Sequence, residues 1–322
     1  DELPDIFLDD LRKSVKSENP NAIIIGEVWE DATNKFAYGQ RRKYLLGEEL
    51  DSVMNYPFAD AVLDFVRFAN GDSFFNSVMS IVENYPPQVL SVLMNHIGTH
   101  DTVRAITRLA GENPDGHDRT WQFEHNTLSK FDYLRGVSMM KIASLIQFTL
   151  PGVPSIYYGD EIGMRYVEGL KSVEGGYNRT GSRSPMQWDD STNAGFSSAP
   201  ASDLYITMDP GKDRPTAKAQ MADPDSLYHE VKKLIQIRQS SKALLSRGTI
   251  EFVYAEKNQY PLAYVREAEG EKVLVIINPS DKEQSFPYSA ELKDALYTIG
   301  GKAESKDGTI TIPAQSAGFY HI

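Results

Sequence analysis

Three short stretches carry the side chains that could do chemistry. The first is Ile23–Asp31, which reads I-I-I-G-E-V-W-E-D. Glu27 stands where a run of β-branched residues ends, and Trp29 follows at the spacing that puts both side chains on one side of an extended chain. A carboxyl group at a strand end is costly if buried and unpaired, so it is either satisfied by neighbours or used in chemistry. An acid beside an aromatic plate suits a sugar. The apolar faces of the ring stack on the aromatic, and the glycosidic oxygen needs a proton to leave. The plainer alternative makes Glu27 a helix cap and Trp29 part of the core. The second stretch is H-I-G-T-H-D, ending in the pair His100-Asp101. The third is Tyr158-Gly159-Asp160-Glu161. Taken alone, a His-Asp pair also reads as a hydrogen-bonded loop, and Gly-Asp-Glu as a turn.

The elements around these stretches decide whether they can meet. Leu3–Lys16 reads as a helix, with Pro4 in its first turn and Phe7, Leu8, Leu11 and Val15 on one face. Ile23–Ile25 begins a strand whose three β-branched residues suggest burial on both faces. Leu50–Phe58 is a second strand and its exit, Ser91–Asn95 a third, and Val153–Tyr158 a fourth. Helices fall between them at Ala61–Phe68, from Asp72 as a cap to Val82, and at Leu134–Leu150. Alternating strands and helices are the mark of βα units and a parallel sheet. Ligands bind at the carboxyl ends of such strands, which places Glu27, His100 and Asp101 on one face, around a cleft with Trp29 at its edge.

Residues 163–222 are rich in Gly, Ser, Asn, Asp and Pro and lack periodicity. A loop of that length is uncommon unless functional. Asp223-Pro224 reads as the cap and first turn of a helix that buries Leu227, Val231, Leu234 and Ile235. From Lys242 the period changes to short strands: 249–254, 262–265, 272–278, 295–299, 309–312 and 318–322. The expectation is a two-domain chain: α/β over 1–241, with the long loop at about 163–222, then an all-β sandwich over 242–322.

Composition limits the partners. A formal charge of −12 opposes nucleic acid and anionic membranes, both of which reward Lys and Arg, and does not oppose a neutral carbohydrate. No apolar run reaches the roughly 20 residues of a membrane helix. The absence of cysteine removes disulfides, thiolate nucleophiles and Cys-based metal sites. The six histidines show no metal-binding spacing beside a glutamate, so no metal or other cofactor is expected. Asp189-Asp190 with Asn193 could coordinate calcium, but a polar turn is the better reading. No signal segment is in view, but any targeting segment of a parent protein would lie outside this sequence, so the compartment stays open, with a cytoplasmic location favoured.

Several motifs resemble those of the α-amylase family of glycoside hydrolases. I-I-I-G-E-V-W-E-D-A, Ile23–Ala32, is similar to its general-acid motif, and N-H-I-G-T-H-D-T-V-R, Asn95–Arg104, to its His-Asp motif. P-G-V-P-S-I-Y-Y-G-D-E-I-G-M, Pro151–Met164, resembles its eighth-strand motif. R-S-P-M-Q-W-D-D-S-T-N-A-G-F, Arg183–Phe196, resembles a loop of its α-glucosidase and oligo-1,6-glucosidase branches, whereas G-E-V-W-E-D-A and Y-L-L-G-E-E-L-D-S-V-M-N-Y-P-F lie closer to neopullulanase and cyclomaltodextrinase. Thr99 stands where Asn or Ser often precedes the His-Asp pair.

The resemblance implies an eight-stranded βα barrel followed by an antiparallel β domain, of which this chain holds strands five to eight and the C-terminal domain. It implies retaining hydrolysis of α-glucans with α-1,4 or α-1,6 linkages, such as maltooligosaccharides, starch, pullulan or cyclodextrins. Glu27 would be the general acid, its proton affinity raised by burial or by the charge of Asp101. Asp101 and His100 would hold sugar hydroxyls and Trp29 would stack on the leaving-group sugars, with Arg104 and Tyr158 as further substrate contacts or as structural residues. The nucleophile of the family lies in an R-x-D motif that this sequence does not contain before Glu27. Asp1–Asp5 resembles the residues that follow that motif, and neither carboxylate sits at a strand end. The chain alone is therefore expected to be inactive, with its open half-barrel covered by the N-terminal half or by a second copy. A glycosyltransferase using the same residues and a non-catalytic carbohydrate-binding or scaffolding relative are the alternatives.

Overall fold

The computed structural model describes residues 3–113, 117, 121–175 and 177–322; Asp1 lies outside them. The chain forms two compact units, one from residues 1–96, 147–155 and 238–322 and the other from 97–146 and 156–237.

In the first unit four short strands run parallel in sequence order. β1 (Ile25–Gly26) pairs with β2 (Ser52–Val53). A single bridge, Met54 to Met94, joins β2 to β3 (Met94–Asn95), and β3 pairs with β4 (Val153–Pro154). The regular strands are shorter than the sequence suggests, and β1 is not buried on both faces. Ile24 is buried, but Ile23 is 64% and Ile25 48% exposed. At the other end of the row, Val153 and Ile156 are 42% and 41% exposed. The reason is that the two outer strands have a partner on one side only among the described residues.

Helix α1 (Asp5–Glu18) precedes β1, and α2 (Tyr56–Phe68) and α3 (Gly71–Asn84) follow β2. α2 starts earlier than expected because Asn55 caps it, its side chain accepting from the Phe58 N–H, with Pro57 in the first turn. Asp72 is not the cap of α3. Asn70 holds that position, and Asp72 sits in the first turn, where a negative charge favours the helix dipole.

The C-terminal part is an antiparallel sandwich. Strands β5 (Thr249–Ala255), β6 (Leu262–Ala268), β7 (Glu271–Asn278), β9 (Ala295–Ile299) and β12 (Ser316–His321) form one sheet in the order β9-β12-β7-β6-β5. β8 (Gln284–Pro287), β10 (Glu304–Lys306) and β11 (Thr309–Ile312) form the second. Ala263, Val265, Leu274 and Ile276 from the first sheet share a core with Phe286, Ile310 and Ile312 from the second. The opposite face of the larger sheet is covered too: Phe252 meets Phe74 and Phe75 of α3 edge-on, and Tyr264 shares a 2.5 Å hydrogen bond with Thr149.

The second unit holds α4 (Ala105–Ala110) and most of α5 (Lys130–Thr149) and α7 (Leu227–Ser240). The long loop is folded into 3₁₀ turns at Asn178–Arg183, Thr192–Gly195 and Ala201–Asp203 and ends in α6 (Ala217–Ala222). Thr216 caps α6 by accepting from the Ala219 N–H. Asp223-Pro224 thus closes one helix instead of opening the next, which starts at Leu227.

Two buried arginines hold the C-terminal end of α5. Arg238 donates to the carbonyls of Phe148 (2.8 Å), Leu150 (3.2 Å) and Gly152 (2.6 Å). Arg266, fully buried, donates to Thr149, Leu245, Gly248 and Thr249. Burial lowers both guanidiniums, Arg238 to about 10 and Arg266 to about 9. Arg266→Met removes four hydrogen bonds from four carbonyls, each worth roughly 1–3 kcal/mol when left unpaired. Urea unfolding should show a loss on the order of 3 kcal/mol or more, and Arg266→Lys should recover only part of it, since an ammonium cannot span four carbonyls.

Candidate active site

In the first unit, β1 ends at Gly26 and β2 runs directly into α2. That junction delivers Tyr56 to Glu27. The Tyr56 hydroxyl donates to Glu27 Oε1 at 2.8 Å. Trp29 stacks on the Tyr56 ring, with centroids 3.8 Å apart and planes 19° from parallel, and His96 meets the same ring edge-on at 4.7 Å. Tyr56 itself is buried. Its position is locked by a polar chain: Asn55 donates to Asn95 Oδ1 at 2.8 Å, and Asn95 donates to the Pro151 carbonyl at 2.6 Å. Gln147 then donates to the carbonyls of Asn95 and Ser155, both at 3.0 Å. The ends of three parallel strands are thereby fixed to one another. Glu27 is exposed, so the burial expected of it is absent.

In the second unit, His100 Nε2 lies 3.3 Å from Asp101 Oδ2. Asp101 is not the free negative charge expected of it. Its Oδ1 accepts from Arg179 at 2.8 Å and from Arg183 at 2.5 Å, and Arg183 also donates to the His100 carbonyl at 3.0 Å. Two guanidiniums on one carboxylate leave little net charge to act on a neighbour.

Arg104 is fully buried, which favours the structural of its two expected roles. It donates to the Tyr158 carbonyl at 2.5 Å, lies 3.5 Å from Asp160 Oδ1, and sits over the rings of Tyr157 and Tyr158 at 4.4 and 4.8 Å. Its role is to position the Tyr157–Asp160 turn. Tyr158 remains 38% exposed, and its hydroxyl donates to the Ser184 carbonyl at 2.8 Å. Burial pushes the Asp160 carboxyl up to about 7 from 3.8, against the pull of Arg104. Asp160 reaches its place because residue 98 is glycine: a Cβ there would come within 2.3 Å of Asp160 Oδ2.

The structure thus brings Glu27 and Trp29 together through Tyr56, and His100 and Asp101 together under Arg183. Tyr56, Arg179 and Arg183 bond to these candidate residues, and sequence reasoning left them unassigned. Tyr56 sits in M-N-Y-P-F, where the Asn-x-Pro spacing marks a helix start at a strand exit, and that signal could have placed it. Nothing local marks the pairing of Arg179 and Arg183 with Asp101, about 80 residues earlier in the chain. Asp189 accepts from Ser191 N–H and hydroxyl, and Asn193 donates to the Ser197 and Ala199 carbonyls, so both serve the turn.

Comparison with known families settles the context. Residues 4–248 match the α-amylase catalytic domain, and residues 262–317 match the SusG C-terminal domain of α-amylases. The chain belongs to the α-amylase family. It is 30% identical over 325 residues to a cyclomaltodextrinase of Geobacillus thermopakistaniensis, covering 98% of this chain and 42% of that protein. It is 29% identical over 289 residues to neopullulanase 2 of Thermoactinomyces vulgaris, covering 88% and 36%. An α-amylase structure from H. orenii superposes with a TM-score of 0.70 at 21% identity, over 98% of this chain and 56% of that one, which shows the fold. The chain spans less than half the length of these curated relatives.

Two measurements check the site. Because the Asp160 pKa is raised on folding, its contribution to stability is complete below 3.8 and is lost as pH rises through about 7. Asp160→Asn should therefore flatten the decline in thermal stability between those values. Gly98→Ala should lower the melting temperature by several degrees, a loss of roughly 1–3 kcal/mol for forced overpacking.

Proposed function

We propose that this chain is the acid-bearing half of a retaining α-glucan hydrolase. It would supply strands five to eight of a (β/α)₈ barrel over residues 1–241 and the appended β domain over 242–322. The nucleophilic carboxylate would come from a segment outside these residues, either the N-terminal half of the barrel or a second chain. The observation that carries the reading is the contact of Glu27 with the Tyr56 hydroxyl beside the Trp29 plate. It gives an acid one fixed donor, an open carboxyl oxygen and an aromatic surface for a sugar ring.

In this reading Glu27 protonates the leaving glycosidic oxygen while the nucleophile attacks the anomeric carbon from about 5–5.5 Å away, and the Glu27 carboxylate then activates water. A donated phenol hydrogen bond stabilises the carboxylate after its proton has left. The His100–Asp101 pair, held by Arg183, would receive hydroxyls of the sugar at the cleavage point. The names of the relatives, cyclomaltodextrinase and neopullulanase, make cyclodextrins and pullulan the first α-glucans to try. Transfer to another sugar would use the same groups with a different acceptor.

In enzyme reassembled with the N-terminal half, Glu27→Gln should abolish turnover of natural glucans and leave their binding nearly unchanged. Substrates with activated leaving groups should be partly spared in the first step, since they need little protonation. Equal loss on both classes would reject the general-acid role. The 322-residue chain alone should show no turnover, and turnover by it alone would place the nucleophile within this chain.

A further inference from the structure

In the first unit, the seam between α1 and the loop that leads into β2 holds a carboxyl group that the reaction described above does not use. Glu49 lies three residues before β2 and is 1% exposed. Neither of its carboxylate oxygens has a hydrogen-bond partner among the described residues. A glutamate is almost never buried this far unless paired. Two further carboxylates act on it from α1, Asp5 and Asp9. Asp5 is buried too, and Asp9 Oδ1 is buried without a partner.

The cations of the seam are engaged elsewhere. Arg42 donates to Asp5 Oδ1 at 2.5 Å and to the Leu3 carbonyl, and its guanidinium lies 4.5 Å from the centre of the Tyr44 ring. Lys43 Nζ lies 3.7 Å from Asp9 Oδ2. Arg12 donates to the Glu49 carbonyl at 3.2 Å and to Asp51 Oδ1 at 2.9 Å, not to the Glu49 carboxyl. The buried Tyr44 hydroxyl is itself pushed up by burial, with the Glu49 charge acting in the same direction. An ionised Glu49 would add a third negative charge to a closed space in which no donor is turned to it. A protonated Glu49 is a buried neutral group, which costs less. Burial, followed by the charges of Asp5 and Asp9, pushes its carboxyl up to about 7 from 4.5, against the pull of Lys43 and Arg42.

The same seam sets two strands against each other. The Leu50 N–H donates to the Tyr44 carbonyl at 2.9 Å, which closes the loop on itself. Asp51 Oδ2 accepts from Lys16 and from the Ile24 N–H, both at 2.9 Å. The Asp51 and Ser52 N–H groups donate to the Ile24 carbonyl at 2.9 and 3.3 Å. Ile24 immediately precedes β1, and β1 ends one residue before Glu27. We propose that Glu49 is a proton-operated latch: neutral, it lets residues 42–51 lie closed on α1, and ionised, it loosens that loop and with it the pairing of β1 and β2. The closed seam holds the Glu49 proton more tightly than the open one, so its added stability is complete below 4.5 and is lost as pH rises to about 7. The latch is a property of the fold and does not depend on the α-glucan reading.

The test is hydrogen exchange of the 322-residue protein, read amide by amide and corrected for the intrinsic pH dependence of exchange. The amides of Leu50, Asp51 and Ser52 should lose protection by about tenfold per pH unit between about pH 5 and 7, the slope of one released proton, and level off above. Glu49→Gln, which cannot ionise, should hold their protection constant across that range. Asp9→Asn removes one of the facing charges and should bring the levelling-off to lower pH; it carries the test if Glu49→Gln does not fold. Asp160→Asn, in the second unit, should keep the wild-type slope at these amides. Constant protection in the wild type, an unchanged slope in Glu49→Gln or an unmoved profile in Asp9→Asn would overturn the latch. So would loss of the slope in Asp160→Asn, which would assign the proton to the other unit.

Discussion

The capture of the α5 C-terminus by Arg238 and Arg266 is the constraint on which the first unit depends. A helix end leaves carbonyls without intrahelical partners, and burying them unpaired is costly. Here guanidinium donors take the carbonyls of Phe148, Thr149, Leu150 and Gly152. The positive charge also suits the negative end of the helix dipole. Arg266 extends from β6 and Arg238 from α7, so one helix end is held by two elements distant in sequence. β4 begins at Val153, one residue after Gly152. The placement of that strand, and of the strand row it closes, follows from how those carbonyls are satisfied.

The same economy of buried polar groups shapes the site. Asn55, Asn95 and Gln147 satisfy one another and the strand-end carbonyls in a continuous chain. A partly satisfied network would be worse than an apolar one. A complete one fixes the exit of β2, hence Tyr56, hence the hydroxyl that meets Glu27. In the second unit the balance is less complete: Arg104, buried against two tyrosine faces, donates to the Tyr158 carbonyl and lies 3.5 Å from Asp160 Oδ1, and Gly98 admits that carboxyl by lacking a Cβ.

Charge is handled differently in the two places. Glu27 is exposed and has a neutral donor, the Tyr56 hydroxyl. Asp101 has two arginines on one carboxyl oxygen, which fix it in direction.

Much of this was legible along the chain. The β-branched run before Glu27, the βα alternation and the change to short alternating strands after Lys242 are local patterns, and local patterns set element type. Glu27, His100 and Asp101 stood out as candidates because their motifs resemble those of the family, not because local pattern singled them out. Element ends were less so: Asn55 starts α2 five residues ahead of Ala61, and Thr216 caps a separate helix, α6, that Asp223 closes, because capping is a competition between neighbouring side chains. The sequence by itself determined which residues could carry an acid, a hydroxyl clamp and an aromatic plate. Only the tertiary structure decided that Tyr56 serves Glu27, that Arg179 and Arg183 neutralise Asp101, and that Arg104 is interior. Those outcomes depend on hydrogen bonds between residues 29 to 82 positions apart, which spacing along the chain does not encode.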